Sequence, residues 1–172
     1  MKIAFNKTFQ LLLDKFNLPA DLNFQIELPL DIQKKLTDKI IFTGNDLGLA
    51  GGWTPKLAND PLQQSYQEDF ANHFHVDMFV EDDDEKQVFE IGVKTLVELA
   101  KRFQKEKISN VQLSYSLMTP EKRKLLDKEH NIDDDEHIIS DRLICHIKRP
   151  GQIVVNESLF NSEYEAILTI DL

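Results

Sequence analysis

The chain is poor in cysteine, glycine and proline, and it has no long apolar run. Its single cysteine, Cys145, cannot form an internal disulfide, which predicts a reducing compartment and therefore the cytoplasm. Six glycines and six prolines are too few for a collagenous or linker-rich chain. No apolar stretch reaches the roughly 20 residues that a membrane span needs. Asp14 and Lys15 end the short Leu11–Leu13 patch before it could form the core of a signal peptide.

Positive charge is also scarce, because 20 Lys and Arg stand against 30 Asp and Glu, a formal net charge of −10. Nucleic acids and anionic membrane surfaces attract basic proteins, so this balance disfavours both as partners. Part of the acidic excess lies in two runs, Glu81–Glu85 and Asp133–Glu136. Neighbouring carboxylates repel one another and stay in water unless a cation or a basic partner neutralises them. A basic protein surface is therefore the expected partner.

The length and the apolar content predict one globular domain over residues 1–172. The chain has 172 residues, of which 41% are hydrophobic, and a domain of that size buries about 70% of its unfolded surface. Most apolar stretches with strand character alternate apolar and polar residues, whereas a parallel sheet covered on both faces would show continuous apolar runs. The sequence therefore predicts an α+β domain, with a mainly antiparallel sheet and helices packed on one face.

Periodicity, caps and breakers give the expected elements along the chain. Helices are predicted at Lys7–Phe16, Asp31–Lys39 with Asp31 as the cap, Glu85–Lys107, and Pro120 to His130 with Thr119 as the cap. Strands are predicted at Leu22–Leu28, Ile40–Phe42, His73–Val80, Val111–Leu117, Arg142–Lys148, Ile153–Val155 and Tyr164–Leu172. Two alternatives stay open: Ile40–Phe42 could extend a helix, and Gln87–Ile91 could be a strand broken by Gly92. Cys145 lies in an apolar stretch and is expected to be a small buried side chain.

The segment Gly44–Pro61 has no regular pattern and holds four of the six glycines. It matches neither the phosphate-binding loop nor the dinucleotide-binding pattern, and Asp46 would repel a phosphate. Long irregular segments in compact domains often carry function. The expectation here is a loop that presents Trp53. Its side chain belongs either to the core or, if it is exposed, to an interface that it would anchor.

The sequence His73-Phe74-His75-Val76-Asp77 is the sharpest candidate for chemistry. On a strand, His73, His75 and Asp77 would share one face, and two imidazoles with a carboxylate could ligate zinc or a similar ion. The spacing resembles the His-x-His-x-Asp-His signature of metallo-β-lactamase-like hydrolases, which implies a metal that activates water. Met78 stands where that signature has its last histidine, and the likeness covers five residues. The plainer interpretation is the polar face of an antiparallel strand.

Three functions follow as hypotheses from these features. The first is an acidic protein-binding module, because no catalytic signature is recognised and the charge suits a basic partner. In size, charge and class the chain resembles the immunity proteins that bacteria make against their own nuclease toxins, which implies inhibition of a basic toxin. The expected partner-binding residues are Trp53, Glu81, Asp82, Asp83, Asp84, Asp133, Asp134, Asp135 and Glu136. No cofactor is expected on this hypothesis.

The alternatives are a metal-dependent hydrolase that uses His73, His75 and Asp77, and a structural or adaptor subunit. The first of these needs a bound metal ion to activate water. The second would oligomerise through a sheet edge or an apolar loop. The sequence leaves the oligomeric state open.

Overall fold

The computed structural model describes residues 1–42, 47–49, 64, 67–68, 70–80, 84–132, 139–150, 155 and 157–172. Its strands are β1 (Lys2–Phe5), β2 (Ile40–Phe42), β3 (Leu47–Leu49), β4 (Val111–Met118), β5 (Ser140–Ile147) and β6 (Glu165–Asp171). Its helices are α1 (Lys7–Phe16), α2 (Leu30–Thr37), α3 (Glu85–Lys105), α4 (Pro120–His130) and α5 (Glu157–Phe160), with a 3-10 turn at Asp77–Phe79.

The main sheet has four strands in the order β1-β6-β4-β5, and every neighbouring pair is antiparallel. The strands β2 and β3 form a separate antiparallel pair. The predicted α+β class with a mainly antiparallel sheet is confirmed. Among the described residues, no helix is both long and apolar enough to cross a membrane.

Helices α1 and α3 cover the same face of the sheet. The ring centroids of Phe9 in α1 and Phe89 in α3 lie 4.9 Å apart. The predicted helix at Glu85–Lys107 is confirmed as α3, and its apolar face is buried, because each of five residues on it is 0% exposed: Phe89, Val93, Leu96, Ala100 and Phe103. Asn6 caps α1 by accepting a hydrogen bond from the Phe9 N–H at 2.9 Å, and Thr119 caps α4 as expected. Local caps and apolar spacing therefore define these helices.

Gly92 lies inside α3 and marks a close contact between that helix and the sheet. A Cβ atom built at this position would lie 2.2 Å from Cζ of Tyr115 in β4. The Tyr115 hydroxyl then donates to the Val88 carbonyl at 3.2 Å. Glycine therefore admits the tyrosine ring against the helix backbone. The alternative of a strand at Gln87–Ile91 is excluded, because those residues are helical.

The central strands are more buried than their alternation predicts. The helix-covered face carries Leu113, Tyr115 and Leu143, all 0% exposed. On the opposite face Arg142 is exposed, as a wet face requires, but Ile167 is only 1% exposed. The expectation of a solvated second face therefore holds at some positions and fails at others. Cys145 is 0% exposed, which confirms its prediction as a small buried side chain.

The predicted strand at Leu22–Leu28 is wrong. The alternating burial is present, with Leu22 and Phe24 each 4% exposed, but residues 22–28 pair with no strand in the described part of the chain. Instead, Phe24 packs toward Phe89 with ring centroids 6.4 Å apart, and the Lys94 ammonium donates to the Ile26 carbonyl. The segment lies along α3. Its alternation of apolar and polar residues therefore reflects alternating burial against that helix and not pairing with a strand in the described part of the chain.

The start of one helix and part of the irregular segment differ from the predictions, and one open alternative is decided. Helix α2 begins at Leu30 after Pro29, so Asp31 is not its cap but lies in the first turn, where it pairs with Lys34 at 2.7 Å. Ile40–Phe42 is strand and not a helix extension. The strand β3 lies inside the segment expected to be irregular throughout. The predicted strand at residues 153–155 falls mostly outside the described residues.

Candidate functional site

The segment 70–80 does not form the predicted strand. Only Phe74 makes a β-bridge, with Leu143 of β5, through two N–H to carbonyl bonds of 3.0 Å. The chain then turns into the 3-10 helix at Asp77–Phe79. The common strand face expected for His73, His75 and Asp77 is therefore wrong. Met78, which on a strand would share the face opposite His73, His75 and Asp77, is 78% exposed.

The turn forms because one distant carboxylate binds two consecutive backbone N–H groups. Asp141, the second residue of β5, is 1% exposed and accepts from the Val76 N–H at 2.9 and 3.0 Å through its two oxygens. Its Oδ1 atom also accepts from the Asp77 N–H at 3.0 Å. Successive N–H groups of a strand point in opposite directions, so this arrangement ends the extended conformation before Val76, whose own backbone is right-handed helical.

A second buried anchor lies at the start of the segment. The Asn72 side chain, 2% exposed, donates to the carbonyls of Leu47 and Cys145 at 2.8 and 3.2 Å and accepts from the Leu49 N–H at 2.8 Å. It therefore joins the segment to both β3 and β5. Each of these bonds replaces a contact with water that burial removes.

Glu68, just before the segment, forms a buried ion pair. Its side chain is 0% exposed and meets Arg149, itself 10% exposed, at 2.6 and 2.9 Å. The same carboxylate accepts from the Leu47 N–H at 3.2 Å and the Ile147 N–H at 2.9 Å. A bidentate ion pair whose carboxylate also accepts two backbone hydrogen bonds holds both side chains in one orientation. The sequence offers no local signal for it.

Held at these points, the segment presents large apolar side chains to solvent. Phe70 is 69% exposed and Met78 is 78% exposed. The ring of His73 lies 5.6 Å from that of Phe70, and His75 lies 5.6 Å from His73 in an edge-on arrangement. We call the side chains of Phe70, His73, His75 and Met78 the 70–78 surface. It combines aromatic, imidazole and thioether groups on a backbone fixed by buried hydrogen bonds.

His75 of this surface approaches two neighbouring carboxylates, those of Asp77 and Asp141. One ligand atom each from His75, Asp77 and Asp141 lies within 4.8 Å of the others. Burial and then the adjacent Asp77 carboxylate raise the pKa of Asp141 to about 7, although the backbone N–H groups of Asp77 and Val76 oppose this. Of the predicted triad, His75 and Asp77 are brought together, whereas the third member is Asp141 and not His73.

A small cavity lies between the segment and helices α2 and α3, with His73 among its lining residues. Its volume is about 180 Å³, below the roughly 300 Å³ at which ligand pockets begin. Its lining residues are Lys35, Leu36, Leu49, Ala71, Asn72, His73, Phe74 and Leu99. The exposed surface is therefore a better candidate for binding than this cavity.

Of the acidic residues predicted to bind a partner, the structure describes only Asp84. Asp84 is exposed and caps α3, accepting from the Gln87 N–H at 3.0 Å. The other predicted partner-binding residues lie outside the described residues: Trp53, Glu81, Asp82, Asp83, Asp133, Asp134, Asp135 and Glu136.

The sequence reasoning missed Asp141 and Phe70. A signal for Asp141 exists: it occupies the apolar face of β5, in register with Leu117 and two residues before Leu143. An acid at a core position implies a specific buried partner. Exposure of Phe70 has no such signal, because a phenylalanine is expected to be buried.

Comparison with protein-family models, with curated proteins and with solved structures finds no match to this chain. The residues of the chain itself are therefore the basis for assigning a function.

Proposed function

We propose that this chain is a protein-binding module that uses the 70–78 surface to bind a basic protein. The observation that carries the proposal is the exposure of Phe70 and Met78, at 69% and 78%, on a backbone fixed by Asn72 and Asp141. Exposed apolar side chains are common singly, but rigid aromatic anchors are the usual centres of binding energy.

The anchoring supports binding because it lowers the entropic cost of association. Binding through a mobile loop must order the loop, at about 0.5–1.5 kcal/mol for each immobilised side chain. Here the N–H groups of Val76 and Asp77 are already bonded to Asp141, and Phe74 is already bonded to Leu143. Met78 adds an adaptable contact, because a thioether side chain fits irregular surfaces.

The charge supports a basic partner. The net charge is −10, and the acidic run that begins at Glu81 follows this surface directly in the chain. Complementary charge accelerates encounter and disfavours wrong partners. The partner class we propose is a basic toxin such as a nuclease, with this chain as its cytoplasmic immunity protein.

The test is capture of partners from a lysate of the source cells on immobilised full-length protein, eluted by a salt ramp. We expect wild type to retain a basic protein at equal stoichiometry and the double variant Phe70→Ser/Met78→Ser to lose it. The matched control is Leu11→Ser/Leu125→Ser, which removes two apolar side chains exposed by 52% and 46% on other elements. Equal retention by both double variants, or retention of an acidic protein or nucleic acid alone, would contradict the proposal.

The acidic run is tested separately by Asp82→Asn/Asp83→Asn/Asp84→Asn. Asparagine also caps helices well, so α3 should keep its start and the melting temperature should change little. We expect slower association with the captured protein and a weaker dependence of that rate on salt. An unchanged association rate would show that these carboxylates do not steer the partner.

A further inference from the structure

Three side chains converge on one point: His75 of the 70–78 surface, with Asp77 and Asp141 next to it. His75 follows the β-bridge, Asp77 opens the 3-10 turn, and Asp141 comes from β5, 64 residues further along the chain than Asp77. One ligand atom from each lies within 4.8 Å of the other two. Metal ligands in proteins are commonly drawn together from separate elements in this way.

Two of the three side chains are already oriented by the backbone. Nδ1 of His75 hydrogen-bonds to the backbone carbonyl of Asp141, which orients the ring and, because Nδ1 is then the donor, leaves the ring's lone pair on Nε2. The Asp141 carboxylate is held by the N–H groups of Val76 and Asp77 and still has acceptor capacity, since a carboxylate offers about four lone-pair sites. Such outer contacts are what orient metal ligands.

Asp77 supplies an independent observation that points to a ligand. Its Oδ1 atom is buried and has no hydrogen-bond partner in the described part of the chain. A buried carboxylate oxygen without a donor is costly, and a cation beside it would remove that cost. The Asp77 side chain as a whole is only half-buried, which leaves an ion a route from solvent.

We propose that His75, Asp77 and Asp141 form a binding site for one divalent transition-metal ion of the zinc or manganese type. One imidazole and two carboxylates suit these ions, whereas magnesium and calcium prefer oxygen ligands alone. Three protein ligands leave a coordination position for water or for a group from a partner. This inference goes beyond the protein-binding proposal and is tested without any partner.

His73 is outside this ligand set. Its ring meets that of His75 edge-on at 5.6 Å, and its Nδ1 atom lies 2.6 Å from the Phe70 carbonyl. It therefore provides a matched control, a neighbouring histidine on the same segment that should not affect the metal affinity.

The experiment is calorimetric titration of chelator-treated, full-length protein with Zn²⁺ and separately with Mn²⁺. We expect one ion per chain and a loss of at least tenfold in affinity for Asp77→Asn, with His73→Ala unchanged. Mg²⁺ and Ca²⁺ should bind more weakly than both transition ions. No saturable binding, or equal binding by wild type and Asp77→Asn, would overturn the proposal.

Two further measurements guard against misfolding and adventitious binding. Substitution of Co²⁺ gives a visible absorption band that should disappear in both Asp77→Asn and His75→Ala, and circular dichroism establishes that each variant is folded. If one variant is unfolded, the other decides the outcome. The triple variant Asp133→Asn/Asp134→Asn/Asp135→Asn tests the acidic run, and loss of binding in that variant but not in Asp77→Asn would overturn the site.

Discussion

The sheet core and the segment 70–80 are stabilised in opposite ways. In the core, α3 and β4 meet through apolar side chains such as Phe89 and Leu113, both 0% exposed. In the segment, buried polar groups hold the backbone, while Phe70 and Met78 remain in solvent. Apolar packing in the core stabilises the fold, whereas the buried polar groups of the segment hold a surface in place. Similar substitutions in the two regions should therefore change the free energy of unfolding by different amounts.

The largest difference is expected between two phenylalanines. Phe89→Ala should lower the free energy of unfolding by about 3–5 kcal/mol, because it leaves a cavity between α1 and α3. Phe70→Ala should change it by less than about 0.5 kcal/mol, since that ring is 69% exposed. Urea denaturation of both variants measures the difference, and comparable losses would mean that Phe70 is part of the core.

The next effect concerns two glutamates in ion pairs. Glu68→Gln should cost about 3 kcal/mol, because it removes the negative charge of a buried ion pair whose glutamate side chain is 0% exposed. Glu85→Gln should cost at most about 1 kcal/mol, since its partner Lys15 is 49% exposed. Urea denaturation of both variants at low and at high salt measures how far each loss of stability depends on screening of the ion pair. If Glu68→Gln lost only as much stability as Glu85→Gln, and if that loss depended on salt, the claim that Glu68 forms a buried ion pair would be contradicted.

Overpacking of the core should have a smaller effect. Gly92→Ala brings a methyl group into the Tyr115 ring and should cost about 1–3 kcal/mol, although alanine favours helix. In the Tyr115→Leu background the same change should cost less, because the ring is absent. A double-mutant cycle measured by thermal unfolding tests this coupling, and strict additivity would argue against the contact.

Asp141→Asn should have the most local effect. One oxygen remains to accept hydrogen bonds, so we expect a loss of about 1–2 kcal/mol. Amide hydrogen exchange should accelerate more at Val76 and Asp77 than at residues of β4. Uniform acceleration along the chain would show that Asp141 serves global stability and not the turn.

The same contrast explains what the sequence could predict. Helix α1, helix α3 and strand β4 follow from apolar spacing and local caps such as Asn6, so their positions are foreseeable. The turn at Asp77–Phe79 cannot be predicted in this way, because it depends on Asp141, which lies 64 residues away from Asp77. Apolar and polar residues do alternate over residues 22–28, but the alternation reflects burial of every second side chain against α3 and not a strand.

For the candidate site, the spacing predicts a strand face shared by His73, His75 and Asp77, whereas the structure brings His75 and Asp77 together at a turn, with Asp141 as the third side chain. The expected strand would have kept same-face side chains about 7 Å apart. The turn brings His75 and Asp77 closer and takes His73 out of the group. Local sequence thus indicates which residue types are available, and long-range hydrogen bonds decide which of them meet.

Hydroxyl-radical footprinting of the protein, alone and bound to its captured basic partner, tests the proposed surface most directly. We expect Met78 and Phe70 to be labelled strongly in the free protein and to lose that labelling in the complex, while Leu125 stays labelled in both. Equal labelling of Met78 with and without the partner would contradict the proposal that this surface is the binding site.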